Sequence, residues 1–153
     1  AENAGFKAAM RNFNSERLGI SASVLGCAKA CYEDALAYAR ERVTFGRPLI
    51  ANQVVRHKLV DMATRIRATE AMLDATAWRA ARGETAAAEI AMLKNQATAT
   101  YEHCASEAVQ LHGGAGILRG SRVERLFRES KILSIGGGSA EIMKDLAARQ
   151  MGY

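Results

Sequence analysis

Apolar residues recur along most of the chain in steps of three and four, the spacing that lines up one face of an α-helix. Leu18, Ala22, Leu25, Ala28, Tyr32, Ala35 and Ala39 predict a first long helix from about Ser15 to about Glu41, with Asn12, Asn14 and Ser15 as capping residues ahead of it. Residues 1–12 read as a lead-in, in which Phe6 and Met10 form a short helical turn or drape over a neighbour. In RVTFGRPL, Gly46 and Pro48 stop one helix and launch the next. Val55, Leu59, Met62, Ile66, Thr69, Leu73, Thr76 and Ala80 then form a near-heptad seam suited to a left-handed bundle. Gly83 ends that helix and Thr85 opens a third, whose face of Ile90, Leu93, Ala97, Tyr101, Cys104, Ala108 and Leu111 is rich in small residues and predicts close helix approach. After His112 the pattern yields to GGAG. A fourth helix carries Val123, Leu126, Phe127 and Ser130 toward Ile135, and a fifth follows GGGSAE at 136–141, with Ser139 as its N-cap. Long helices with short loops make antiparallel neighbours, so residues 13–153 are expected to form an all-α, up-and-down four-helix bundle with one additional short helix.

Composition narrows the picture. The 153 residues suffice for one core, and a single proline with few aromatics argues against a sheet. No apolar run is long enough to span a bilayer, which points to a soluble protein of the cytoplasm, or of the mitochondrial matrix in a eukaryote. Cys27, Cys31 and Cys104 form no CxxC, and His57, His103 and His112 are too scattered for a metal motif, so the cysteines read as buried, reduced packing residues and no metal is expected. The net charge of +5 suits either an anionic partner or a solvated helical surface. The start at Ala1 suggests a fragment or a processed product.

Several chemistries fail on pattern. No glutamate has a histidine three residues later, as a di-iron bundle requires, and neither a serine-histidine-aspartate order with helpful spacing nor a lysine-serine phosphate loop occurs. Four polar islands remain, all at expected helix ends where backbone groups lack partners: Asn14-Ser15-Glu16-Arg17; Arg42-Val43-Thr44-Phe45-Gly46 with Gln53; Gln110-Leu111-His112-Gly113-Gly114-Ala115-Gly116; and Gly136 to Glu141. Taken singly, each also reads as ordinary helix capping or surface.

Taken in order, RVTFGRPLIANQVVRHKLVDM, AVQLHGGAGIL and RESKILSIGGGSAEIMKDLAAR resemble the C-terminal helical domain of acyl-CoA dehydrogenases, from about Phe13 to Met151. The resemblance implies a flavoenzyme of fatty acid metabolism that removes the α and β hydrogens of an acyl-CoA thioester, with FAD as hydride acceptor. It also implies a homo-oligomer, dimer or tetramer, that passes electrons to an electron-transfer flavoprotein. By resemblance, Arg42 and Thr44 contact the FAD pyrophosphate, Phe45 packs nearby and Gln53 helps hold the adenine-ribose end, usually on the flavin of the neighbouring subunit. Gln110, Gly113, Gly114 and Gly116 match a motif whose missing side chains admit the cofactor, and Ser139 and Glu141 touch the flavin nucleotide.

The position of the usual catalytic glutamate, in a tyrosine-glutamate-glycine-threonine pattern, here reads Gly136-Gly137-Gly138-Ser139. A smaller branch, resembling isovaleryl-CoA and long-chain acyl-CoA dehydrogenases, takes its base from an E-R-L string in the first long helix. Glu16-Arg17-Leu18 matches that string, which makes Glu16 the expected base, with Asn14, Arg17 and Gly138 beside the substrate. Desolvation near an acyl chain raises the pKa of such a base, while a helix N-terminus opposes the rise. The family's N-terminal helical and central β domains are not in this sequence, so the isolated chain is expected to be inactive and to bind FAD weakly or not at all. The alternative is a non-catalytic helical assembly or DNA-associated module of the same fold; nucleic acid binding is not favoured, and oxidation of another substrate such as a nitroalkane ranks lower still.

Overall fold

The computed structural model describes residues 5–84 and 86–153, and the side chains of these except 6–11. Phe6, Met10 and Thr85 therefore lie outside the described side chains. Five α-helices account for most of the chain: α1 Gly5–Glu41, α2 Gln53–Ala81, α3 Ala87–His112, α4 Arg122–Ile135 and α5 Ala140–Met151. Helix α1 packs on α2, and α3 lies in the middle, against α1, α2, α4 and α5. No helix among the described residues is long and apolar enough to cross a membrane.

The predicted core faces of α2 and α3 hold closely. Val55, Leu59, Met62, Ile66, Thr69 and Thr76 are buried on α2, and all seven expected positions from Ile90 to Leu111 are buried on α3. Leu73 and Ala80, at the edge of the α2 seam, are only half-buried. Alanines 28, 35, 97, 105 and 108 sit at the tightest part of the core and let α1 and α3 approach. Within the α2–α3 seam the Thr69 and Thr100 hydroxyls pair at 2.9 Å, which satisfies two polar groups that water cannot reach. Cys31 and Cys104 are fully buried and their thiols are pushed up to about 12 by that burial, as inert packing groups. Cys27 is only half-buried, short of the expected full burial.

Three local expectations are corrected. Helix α1 begins well before Ser15, at Gly5, so Asn12, Asn14 and Ser15 are helix interior rather than caps. From Arg17 to Ala28 its buried face is Arg17, Ser21, Val24, Leu25 and Ala28, so the expected Leu25 and Ala28 are buried while Leu18 is half-buried and Ala22 exposed. A buried arginine on that face hides it from any reading based on apolar residues. The segment between α1 and α2 is more than a helix stop: β1 Val43–Thr44 pairs antiparallel with β2 Arg47–Pro48, and Phe45-Gly46 forms the two-residue turn. Both turn residues have positive φ, 50° and 77°, as a primed hairpin turn requires.

His103 on α3 has a buried Nε2 with no partner among the described residues. Burial lowers its pKa, helped by Arg65 and Lys58 and opposed by Glu107 and Asp61. A base held neutral in the fold binds a proton more readily unfolded, so stability should fall as pH drops through the unfolded-state value near 6.5. Thermal melts of wild type and His103→Gln between pH 7.5 and 5 check this. The wild type should lose more stability on acidification, and equal slopes would remove His103 as the cause.

Candidate functional site

The expected site residues fall into two groups at opposite ends of the bundle. Helix α1 sets their separation: Arg17 and Arg42 are 25 positions apart, about 37 Å along a rod rising 1.5 Å per residue. At the far end, Tyr38 stacks on His112 with ring centroids 4.2 Å apart, so the C-termini of α1 and α3 lie side by side. The hairpin with Arg42, Thr44 and Phe45, the start of α2 with Gln53, and the α3 terminus with Gln110, Gly113 and Gly114 therefore share one end. Asn14, Glu16, Arg17, Gly138, Ser139 and Glu141 share the other. One flavin dinucleotide does not bridge that span.

The far end presents groups without partners inside the chain. Arg42 and Gln53 are exposed, and neither side chain is hydrogen-bonded or ion-paired to another among the described residues. Phe45 is fully exposed and holds a φ of 50°, a conformation unfavourable for a bulky residue. Strain together with an exposed aromatic ring marks a tip shaped to meet something outside this chain. Gly114 has open space where a Cβ would stand, whereas at Gly116 a Cβ would come within 2.9 Å of Val109 O and of His112 Cβ. Gly116 is thus explained by packing on the end of α3, and only the openness at Gly113 and Gly114 is left for a ligand.

The near end is organised around the glycine loop. Arg17, 8% exposed, donates from Nε to Gly137 O at 3.0 Å and from Nη1 to Asn14 Oδ1 at 3.4 Å, with its guanidinium 5.5 Å from the Phe13 ring. Burial lowers the Arg17 pKa while Glu16 raises it. Gly137 and Gly138 have φ of 71° and 116°, and a Cβ on Gly137 would meet Ile20 Cδ1 at 2.9 Å. Ile20 lies one helical turn after Glu16, so Glu16 flanks the surface that the loop closes. Its carboxylate is exposed and accepts from Asn12 Nδ2 at 2.6 Å. Because α1 starts at Gly5, Glu16 is not near a helix N-terminus, and the opposing dipole effect expected for it is absent.

Helix α5 starts from this loop. Ser139 caps it, accepting from Ile142 N at 3.5 Å, as its sequence position predicted. The Glu141 carboxylate is held below its usual range by its own amide, by the Ser139 side chain, and further by Lys144 and Lys131. A carboxylate kept ionised is a poor neighbour for a phosphate and a better acceptor for hydroxyl groups. A cavity of ≈ 260 Å³ opens beside Ser139, Ala140 and Glu141, reaching Asn95 on α3 and Lys131 on α4.

Residues 3–152 match the family described as acyl-CoA dehydrogenase, C-terminal domain. The chain belongs to this family. It is 40% identical over 150 residues to an acyl-CoA dehydrogenase of Bacillus subtilis, covering 98% of this chain and 40% of that protein. Among solved structures, a probable acyl-CoA dehydrogenase of Mycobacterium abscessus superposes with a TM-score of 0.97 at 42% identity, over 99% of this chain and 40% of that one. Butyryl-CoA dehydrogenase of Megasphaera elsdenii gives 0.96 at 32% identity, over 99% and 39%. The chain thus spans about two fifths of the length of the relatives it matches.

Within this acyl-CoA dehydrogenase domain, Lys94 is the site residue that sequence reading missed. It lies on α3, is 0% exposed, and donates to Ser134 O at 2.8 Å and Gly138 O at 2.6 Å. Its burial lowers its pKa, as does Arg17 nearby, while Glu102 raises it. A lysine inside a helical pattern reads as solvated, and the one available signal was its place between the core positions Leu93 and Ala97. Asn95, likewise unforeseen, donates to Ala140 O at 2.9 Å.

The two glycine sites differ in a testable way. At Gly138 an alanine would occupy a φ of 116° and a Cβ would stand 2.6 Å from Met143 Cε, whereas Gly114 is open. Gly138→Ala should cost about 1–3 kcal/mol of stability and Gly114→Ala within about 0.5 kcal/mol of zero. Chemical denaturation of the two variants checks the contrast, and equal losses would contradict it.

Proposed function

We propose that the complete protein containing this chain is an FAD-dependent dehydrogenase that converts acyl-CoA thioesters to α,β-enoyl thioesters, with Glu16 as base. One observation carries the reading: where the chain could have placed a carboxylate on the α4–α5 loop it has Gly137, and an exposed carboxylate, Glu16, stands on α1 beside that loop. The donor sets also fit the cofactor. Arg42 offers an unpaired guanidinium to phosphate oxygens, and the first turn of α5 offers amides with Ser139 and an ionised Glu141 to the hydroxyl-bearing part of a nucleotide. The distance between these sets argues that each serves a different flavin in a homo-oligomer, dimer or tetramer, with the far-end hairpin reaching the neighbour's cofactor.

In this reading the Glu16 carboxylate removes the proton from the carbon next to the thioester carbonyl and holds it. The electron pair released becomes the new carbon–carbon double bond as the β-hydrogen leaves as hydride. FAD, when bound, accepts that hydride. Arg17 keeps the Gly137 carbonyl turned into the protein, which fixes the loop facing the substrate, and Asn12 orients the carboxylate through its amide. Asn14 steadies Arg17 and lies beside the acyl group. An electron-transfer flavoprotein is the proposed acceptor from the reduced enzyme.

The non-catalytic, nucleic-acid-binding alternative rests on positive charge. A concavity of ≈ 600 Å³ is lined by Arg119, Arg122, Arg125 and Arg128, with Glu124 among them. Three of these already face carboxylates, Arg122 with Asp34, Arg125 with Glu129 and Arg128 with Glu124, so little free charge is left for a polyanion.

Glu16→Gln in the complete protein should abolish exchange of the substrate α-proton with solvent deuterium while the flavin spectrum stays that of bound FAD. Proton NMR of an acyl-CoA incubated with the enzyme reads this directly. Retained exchange would remove Glu16 as base.

A further inference from the structure

The geometry points to Lys94 as a positioning residue that aims the Ser139 backbone N–H out of the bundle as a hydrogen-bond donor to the flavin. This inference rests on the flavoenzyme reading above.

Two buried cations hold the α4–α5 loop by its carbonyl oxygens. Arg17, from α1, takes Gly137 O, and Lys94, from α3, takes Gly138 O together with Ser134 O. Ser134 is in the last turn of α4, whose carbonyls lack intrahelical partners, so a cation there satisfies an acceptor that water cannot reach. The consequence for Gly138 is directional. No described peptide bond is cis, and in a planar trans peptide the C=O and the N–H of one unit point opposite ways. Drawing the Gly138 oxygen toward the Lys94 ammonium therefore turns the Ser139 N–H the opposite way, away from that ammonium. Among the loop amides, Gly138 N bonds to Ile135 O at 3.3 Å and Gly136 N to Ile132 O at 2.9 Å, whereas Gly137 N–H and Ser139 N–H have no backbone acceptor among the described residues, and of these two only Ser139 N–H belongs to the peptide unit whose carbonyl Lys94 holds.

Charge adds to direction. An ammonium hydrogen-bonded to the carbonyl polarises the whole peptide unit, which makes its N–H a stronger donor. A solvated lysine on a flexible loop would not do this, because it would neither fix the peptide plane nor face a desolvated carbonyl. Lys94 is anchored in the central helix and fully enclosed. Replacing it therefore disturbs the loop from the side opposite the ligand, without removing any group that touches the ligand.

A double-mutant cycle on the complete protein tests the proposal through FAD affinity, measured by quenching of flavin fluorescence on reconstitution of the apoprotein. Ser139 has a φ of −59°, which proline adopts without strain, so Ser139→Pro deletes the N–H while Ser139→Ala keeps it and matches the loss of the hydroxyl. Lys94→Met should weaken FAD binding about tenfold in the Ser139→Ala background and leave it unchanged in the Ser139→Pro background. Equal weakening in both backgrounds would mean that Lys94 acts without this amide, and no weakening in either would mean that it does not act on FAD; either result overturns the proposal while the flavoenzyme reading stands. A wild-type protein that binds no FAD overturns both. If Lys94→Met yields no folded protein, Lys94→Gln, which keeps a neutral donor on a shorter stem, takes its place in the same cycle with the same outcomes.

Discussion

The length of α1 is the constraint on which the rest of the molecule depends. Its 37 residues run the height of the bundle, carrying Glu16 and Arg17 about a third of the way along and leading into Arg42 just beyond its C-terminal end. A helix is stiff along its axis because every interior residue is tied to its neighbours one turn away, so that separation is not open to adjustment. The expected site residues of the chain are thereby sorted into two sets at opposite ends of the bundle, and no local rearrangement brings them together.

The near set depends on buried positive charge. Arg17 and Lys94 lie beneath a loop of three glycines and turn its carbonyls inward. Two cations in a helical core are costly unless their hydrogen bonds are made, and here the acceptors are backbone oxygens that would otherwise be unsatisfied. The glycines answer to apolar packing as well as to their positive φ: a Cβ at 137 would crowd Ile20 and one at 138 would crowd Met143. The far set has the opposite character. It is exposed and strained at Phe45, and the Arg42 and Gln53 side chains have no partner among the described residues.

Helix periods made the architecture legible. The seams of α2 and α3 appear in the sequence as a run of core positions at every third and fourth place, and all but Leu73 and Ala80 of those places are buried. The polar parts were less legible for a physical reason. Arg17 and Lys94 carry residue types that usually face water, and only the fold reveals that carbonyls await them inside. The early start of α1 was hidden because Asn12, Asn14 and Ser15 favour caps, yet here they continue a helix that packing stabilises further along. The hairpin at 43–48 was likewise hidden, since a two-residue strand leaves no alternating pattern. The four polar islands were found from motif order, but their division between two ends became visible only with α1 traced in full.

Complementation of the complete protein tests the proposed division of the site between subunits most directly. Glu16→Gln and Arg42→Glu break different ends, and each variant alone should lack acyl-CoA dehydrogenase activity. Refolded together, they should regain activity, because a mixed oligomer joins an intact Glu16 of one subunit to an intact Arg42 of the other. If each subunit instead completes its own site, every subunit in the mixture carries a defect and no activity returns.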